Sequence, residues 1–160
     1  AANIELKADR GRARATGAAV GALLARRERP PAPVLVSSFL PEALDALGAV
    51  DRDIARGLLF RAVPRGWAKS ARRLGCATIH ADHRRLSPEL VREIRAAGYP
   101  LIAYTVNDGV RARLLFDWGV TSVFSDVPDI ILQAIAADAP RRQMAAGAAA
   151  FALPRQGALR

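Results

Sequence analysis

The sequence predicts an α/β fold built on a parallel sheet, and three observations predict it. Short apolar runs alternate with amphipathic segments, and strand starts recur roughly every 20 to 30 residues, the size of a strand–helix unit with short loops. Several runs, among them Val34-Leu35-Val36 and Leu101-Ile102-Ala103, are apolar on both faces, as suits strands covered by helices. Capping chemistry stands where the helices should open and close. The combination is that of parallel strands joined by helical crossovers.

The expected strands are Asn3–Lys7, Val34–Phe39, Gly57–Phe60, Ala77–His80, Leu101–Asn107 and Ser122–Asp126. Between them lie expected helices near Thr16–Arg27, Pro41–Leu47, Gly66–Leu74, Pro88–Ala97, Gly109–Trp118 and Pro128–Ala137. Ser87-Pro88-Glu89 reads as an N-cap, a proline in the first turn and an acid facing the helix dipole. Pro41-Glu42 and Pro128-Asp129 repeat that opening. Gly48, Gly75, Gly98 and Gly119 each follow a helical stretch, where a left-handed residue ends the helix. Residues 1–138 form the folded unit. Arg26 to Pro33 is a charged, proline-rich connector, and residues 139–160 are a low-complexity tail with a frayed helix around Met144–Phe151.

The first strand is the most informative segment. Alternation places Glu5 and Lys7 on one face and turns Ile4 and Leu6 toward an apolar layer. A carboxylate beside an ammonium at a strand's C-terminal end suits a cation and a phosphate. An exposed edge strand with a weak surface ion pair has the same pattern. Polar residues recur where the other runs end: Ser37, Ser38, His80, Thr105, Asn107 and Asp126.

Composition narrows the function classes. A chain of 160 residues, 51% hydrophobic, supports one domain with a sizeable core and is not globally disordered. The net charge of +9 and pI near 11.2 invite a nucleic-acid reading. The basic residues are nearly all arginines scattered over the helices, however, without aromatic interleaving or a recognition motif, so no nucleic-acid partner is expected. Cys76 is the single cysteine, which rules out an intramolecular disulfide and reads as a buried structural thiol. No apolar stretch approaches the roughly 20 residues of a membrane span. With no leader pattern in view, a cytoplasmic location is expected.

Taken in order, the strand ends resemble those of the glycerophosphodiester phosphodiesterase family. The matching segments are Asn3-Ile4-Glu5-Leu6-Lys7, Val36-Ser37-Ser38-Phe39, Tyr104-Thr105-Val106-Asn107-Asp108 preceded by Gly98-Tyr99-Pro100, and Gly119-Val120 followed by Phe124-Ser125-Asp126-Val127-Pro128-Asp129. The likeness covers roughly residues 3 to 133. It implies a TIM-type (β/α) barrel of the glycerophosphodiesterase, phospholipase C-like kind, with its active site at the C-terminal strand ends. It also implies hydrolysis of a glycerophosphodiester to glycerol 3-phosphate and an alcohol, with calcium or magnesium as cofactor. By resemblance Glu5 ligates the cation, Lys7 is catalytic beside the phosphate, and Tyr104 lines the pocket. Ser37, His80, Thr105 and Asn107 join it as substrate-binding candidates.

The family's opening His-Arg-Gly segment, its Glu and Asp metal ligands and its two catalytic histidines have no match here. The expectation is therefore a barrel incomplete at its N-terminus, with an incomplete metal site and no activity unaided. Its open edge should favour self-association. His80 and His83 are not expected to replace the missing pair; His80 is expected at the pocket rim and His83 solvated beside Arg84 and Arg85. The other reading is a catalytically silent barrel fragment or α/β interaction module.

Overall fold

A computed structural model describes residues 2–9, 11–26 and 33–137. The expected tail at 139–160, with its helix around Met144–Phe151, lies outside these residues, as does most of the connector at 26–33. The described chain runs β1 (Ala2–Leu6), α1 (Ala13–Ala25), β2 (Val34–Ser38), α2 (Pro41–Val50), β3 (Ala55–Phe60), α3 (Trp67–Arg73), β4 (Thr78–Asp82), α4 (Pro88–Ala96), β5 (Leu101–Tyr104), α5 (Gly109–Trp118), β6 (Ser122–Val123) and α6 (Pro128–Ala136). A 3₁₀ turn at His83–Arg85 follows β4.

The six strands pair in parallel in sequence order, β1 to β6. Each is followed by a helix, which is the half-barrel form of the expected fold. Register lines Glu5, Ser37, Gly57 and Thr78 across the first four strands. One layer up, Leu59, His80, Ile102 and Ser122 align. Leu6, Val36, Leu58, Ile79, Leu101 and Ala103 point to the helices and are buried, so alternation sends Glu5, Ser37, His80 and Tyr104 to the concave face.

The helix layer packs in two clusters. Leu44, Trp67, Ile79, Ile94, Leu101 and Leu115 belong to the larger one, and Leu6, Val36, Ala43 and Leu47 form the smaller one beneath α1 and α2. Gly17 permits that second contact: a Cβ there would stand 2.1 Å from the Ala43 carbonyl oxygen.

Several expected boundaries shift. β4 runs to Asp82 rather than stopping at His80, and β5 stops at Tyr104 rather than at Asn107. Gly75, Gly98 and Gly119 do take left-handed conformations after their helices. Gly48 does not, because α2 continues to Val50. Its missing side chain serves packing instead: a Cβ there would lie 3.1 Å from the Arg56 guanidinium.

Candidate active site

The C-terminal strand ends open onto two adjoining cavities divided by Phe39 and Tyr104. The smaller, of ≈ 300 Å³, is lined by Glu5, Ser37, Thr105 and Phe124 among others. The larger, of ≈ 910 Å³, is walled by Arg61, Asp82, Arg84 and Arg85. Phe39 and Tyr104 meet edge to face with ring centroids 5.9 Å apart. The Tyr104 hydroxyl donates to the Phe60 carbonyl at 2.7 Å. Burial, helped by the Asp82 carboxylate, pushes the Tyr104 hydroxyl pKa up to about 12, so it stays protonated.

Glu5 ends β1 with its carboxylate 3.8 Å from the Lys7 ammonium. The Lys7 side chain is 80% exposed, so this pair is held loosely and its ammonium is free to reach a ligand. Beside Glu5 in register, Ser37 is fully buried and its hydroxyl has no hydrogen-bond partner. Its neighbour Ser38 points the other way. Its hydroxyl donates to the Leu6 carbonyl at 2.8 Å and accepts the Leu40 N–H at 3.1 Å. These two hydrogen bonds tie the end of β1 to the entry of α2, fixing where Glu5 stands.

His80 is not at the rim. It is fully buried one layer below Asp82, tilted against Phe124 with centroids 5.5 Å apart, and its Nε2 lies 2.9 Å from the Thr78 hydroxyl. Its Nδ1 has no partner. Burial drives its pKa down to about 4, so the ring is neutral at pH 7. His83 is half-buried rather than freely solvated. Arg111 donates from Nε to its Nδ1 at 3.3 Å and from Nη2 to its carbonyl oxygen. Burial first, then the Arg111 charge, lowers its pKa.

Residues 3–130 match the glycerophosphoryl diester phosphodiesterase family. The chain belongs to that family. It is 37% identical to a phosphodiesterase of Oleispira antarctica solved with the product sn-glycerol-3-phosphate, with a TM-score of 0.78 over 83% of this chain and 54% of that one. A glycerophosphodiester phosphodiesterase of Bacillus subtilis is 47% identical over 49 residues, 31% of this chain and 17% of that enzyme. The fold is also that of a glycerophosphodiester phosphodiesterase from Parabacteroides distasonis, with a TM-score of 0.70 at 16% identity over 86% of this chain and 57% of that one. The chain thus spans about half the length of the Oleispira structure.

Of the residues marked in this phosphodiesterase-family sequence, Glu5, Ser37, Tyr104 and Thr105 share the smaller cavity. Lys7 stands at its edge through Glu5. Asn107 is turned toward the next loop: its amide donates to Asp126 Oδ2 at 2.9 Å, while its carbonyl accepts from the Ser125 hydroxyl and the Asp126 N–H. It clamps the loops after β5 and β6. Asp82 and Arg84, which line the larger cavity, are not among the expected site residues, because the expected strand stops at His80 while β4 runs to Asp82. The alternation of His80 and Asp82 was the available signal, since residues two apart share a face.

Among the described residues no group of three His, Cys, Asp or Glu side chains converges on a possible metal position. A hard cation takes six or more oxygen ligands, and Glu5 alone does not make that site.

Proposed function

We propose that this chain forms the phosphate-facing wall of a metal-dependent enzyme that hydrolyses glycerophosphodiesters to glycerol 3-phosphate and an alcohol. The observation that carries this reading is the Glu5–Lys7 pair at the end of β1, opening on the cavity that Ser37, Tyr104 and Thr105 line. Lys7, exposed and free to swing, neutralises phosphoryl oxygens as their charge develops. Glu5 contributes one carboxylate to a calcium or magnesium site whose other ligands come from the rest of a family barrel. Ser37 supplies an uncommitted hydroxyl, and Tyr104 a rigid protonated wall. Asn107 acts on substrate through the loop it clamps.

Proton transfer belongs to groups outside this chain. A general acid or base works best with a pKa near the operating pH and a free nitrogen at the reacting atom. His80 is buried, has its Nε2 engaged by Thr78 and ionises only near pH 4. A cytoplasmic setting suits Cys76, whose thiol burial pushes up to about 11 and keeps unreactive.

The test is turnover of glycerophosphocholine with calcium or magnesium present. The chain alone should be inactive. Joined to the remaining units of a family barrel it should turn over, and Glu5→Ala there should lower kcat about a hundredfold or more. Turnover by the chain alone, lost on His80→Ala, would overturn the assignment. A completed barrel that stays inactive would favour the silent scaffold.

A further inference from the structure

The wider cavity carries chemistry that the scissile phosphate at β1 does not use. Arg61, Arg84 and Arg85 line it against one carboxylate, Asp82. That carboxylate is only 7% exposed and already committed. Arg84 grips its two oxygens through Nε at 3.0 Å and Nη2 at 2.7 Å, and the Arg84 backbone N–H adds a third bond at 3.0 Å. This fork fixes the plane of the Arg84 guanidinium at the cavity wall. Arg61 and Arg85 form no ion pair among the described residues. The space therefore presents two uncompensated guanidiniums and a third held in a set orientation.

Two aromatic rings at the same wall, Phe39 and Tyr104, are what a quaternary ammonium would seek. Three guanidiniums at that wall repel such a cation, and the Asp82 charge is already paired with Arg84. Planar guanidinium forks instead match phosphoryl oxygens. The span agrees: β3, which carries Arg61 just past its end, lies two strand spacings from β1, roughly 10 Å. A short polyol bridge covers that distance with help from a flexible arginine arm.

We propose that this cavity is a subsite for an alcohol moiety bearing a second phosphoryl group, so that the preferred glycerophosphodiester is dianionic rather than choline-like. The inference rests on the hydrolase reading above for the position of the first phosphate. Its test does not need turnover. Backbone amide shifts of the 160-residue chain are followed by NMR during titration with bis(glycerophospho)glycerol and, separately, glycerophosphocholine.

Shifts at Arg61, Ala62, Arg84 and Arg85 should saturate at a Kd at least about tenfold lower for the bis-phosphodiester at low salt, fading as salt rises. Arg61→Gln should remove most of that preference. Arg72→Gln, the same charge change at the opposite end of the strands, should leave it within about twofold. Equal or tighter binding of glycerophosphocholine would place choline between the rings and overturn the proposal. Equal losses in the two variants would reduce it to diffuse charge, and parallel losses for both ligands in Arg61→Gln would assign Arg61 to the scissile phosphate. If a completed barrel hydrolyses neither compound while this chain keeps the preference, the hydrolase reading fails and the anionic subsite stands.

Discussion

Acidification should destabilise this fold through His80 well before its carboxylates titrate. The ring is fully buried and desolvated, and its pKa falls from 6.5 to about 4. In the unfolded chain the imidazole protonates near pH 6.5, whereas in the fold it remains neutral until about pH 4. Above pH 6.5 both states hold a neutral ring and the full stability is present. Between these values the unfolded state binds the extra proton, so stability falls with pH by up to about 1.4 kcal/mol per unit. Across the window of about 2.5 units the loss is roughly 3 kcal/mol. That is a large fraction of the stability of a small domain.

Urea unfolding followed by the fluorescence of buried Trp67, at pH 7.5, 6.5, 5.5 and 4.5 (about one-unit steps across the transition), measures this directly. His80→Gln should remove most of the slope while costing some stability at pH 7.5, because the ring's packing on Phe124 is lost. His83 titrates in the same direction but is half-exposed and contributes less, so it leaves a residual slope in that variant. A second loss begins below about pH 4. The Arg84 hydrogen bonds hold the Asp82 carboxyl down at about 2, and protonating it forfeits the pair. A flat wild-type profile between pH 7.5 and 5, or an NMR titration of His80 near 6.5, would refute the reasoning.

Other perturbations have equally defined outcomes. Arg56→Met leaves the carbonyls of Leu74, Ile54 and Gly75 without their guanidinium donors, at 2.9, 3.0 and 3.3 Å. It should lower the urea midpoint by the equivalent of about 2–4 kcal/mol with an unchanged m value. Gly57→Ala places a Cβ 2.7 Å from His80 Nε2 and 2.8 Å from the Thr78 hydroxyl, so it should cost roughly 1–3 kcal/mol in the same assay. It should also shift the His80 NMR titration, since the ring must move. Ser38→Ala should cost about 1–2 kcal/mol and broaden the Glu5 and Lys7 amide resonances, because the tie between β1 and α2 is gone. At high concentration the chain should self-associate, and sedimentation showing a monodisperse monomer would count against an adhesive open edge.

The fold was legible in the sequence because its signals are local. Pro88 after Ser87 caps α4 as expected, with the Ser87 hydroxyl accepting the Leu90 N–H at 3.3 Å, and Gly119 closes α5 in a left-handed turn. The same alternation that half-buries Ile4 and buries Leu6 under α1 and α2 puts Glu5 on the concave face. What was not legible depends on groups distant in sequence. His80 lies low in the cleft because Gly57, on the neighbouring strand, leaves room for its ring. No property of the segment Thr78-Ile79-His80 announces that vacancy. Asn107 likewise ends a strand-like run, but Ser125 and Asp126 capture its amide across eighteen and nineteen residues of chain. Gly48 carries the usual signature of a helix stop, yet α2 runs on to Val50, and the bare face of Gly48 admits the guanidinium of Arg56, eight positions later.

That arginine also shows how the two ends of the sheet divide their work. At the N-terminal strand ends Arg56 is 7% exposed and gives its donors to the carbonyls that α2 and α3 leave unpaired. Gly48 and Gly75 keep their faces bare to admit it. The Arg56 donors there serve stability, and its charge is screened by backbone dipoles rather than offered to a ligand. At the C-terminal ends the economy reverses. Ser37 is buried without a partner, Arg61 and Arg85 stand unpaired among the described residues, and Arg84 is oriented by Asp82. Buried polar groups left unsatisfied cost stability unless something else rewards them. The unsatisfied Ser37 hydroxyl stands with the exposed, unpaired Arg61 and Arg85 at one end of the parallel strands, and Arg56 reaches five carbonyls at the other; that is the physical reason to look for the ligand at Glu5 and Arg61 and for the fold's strength at Arg56.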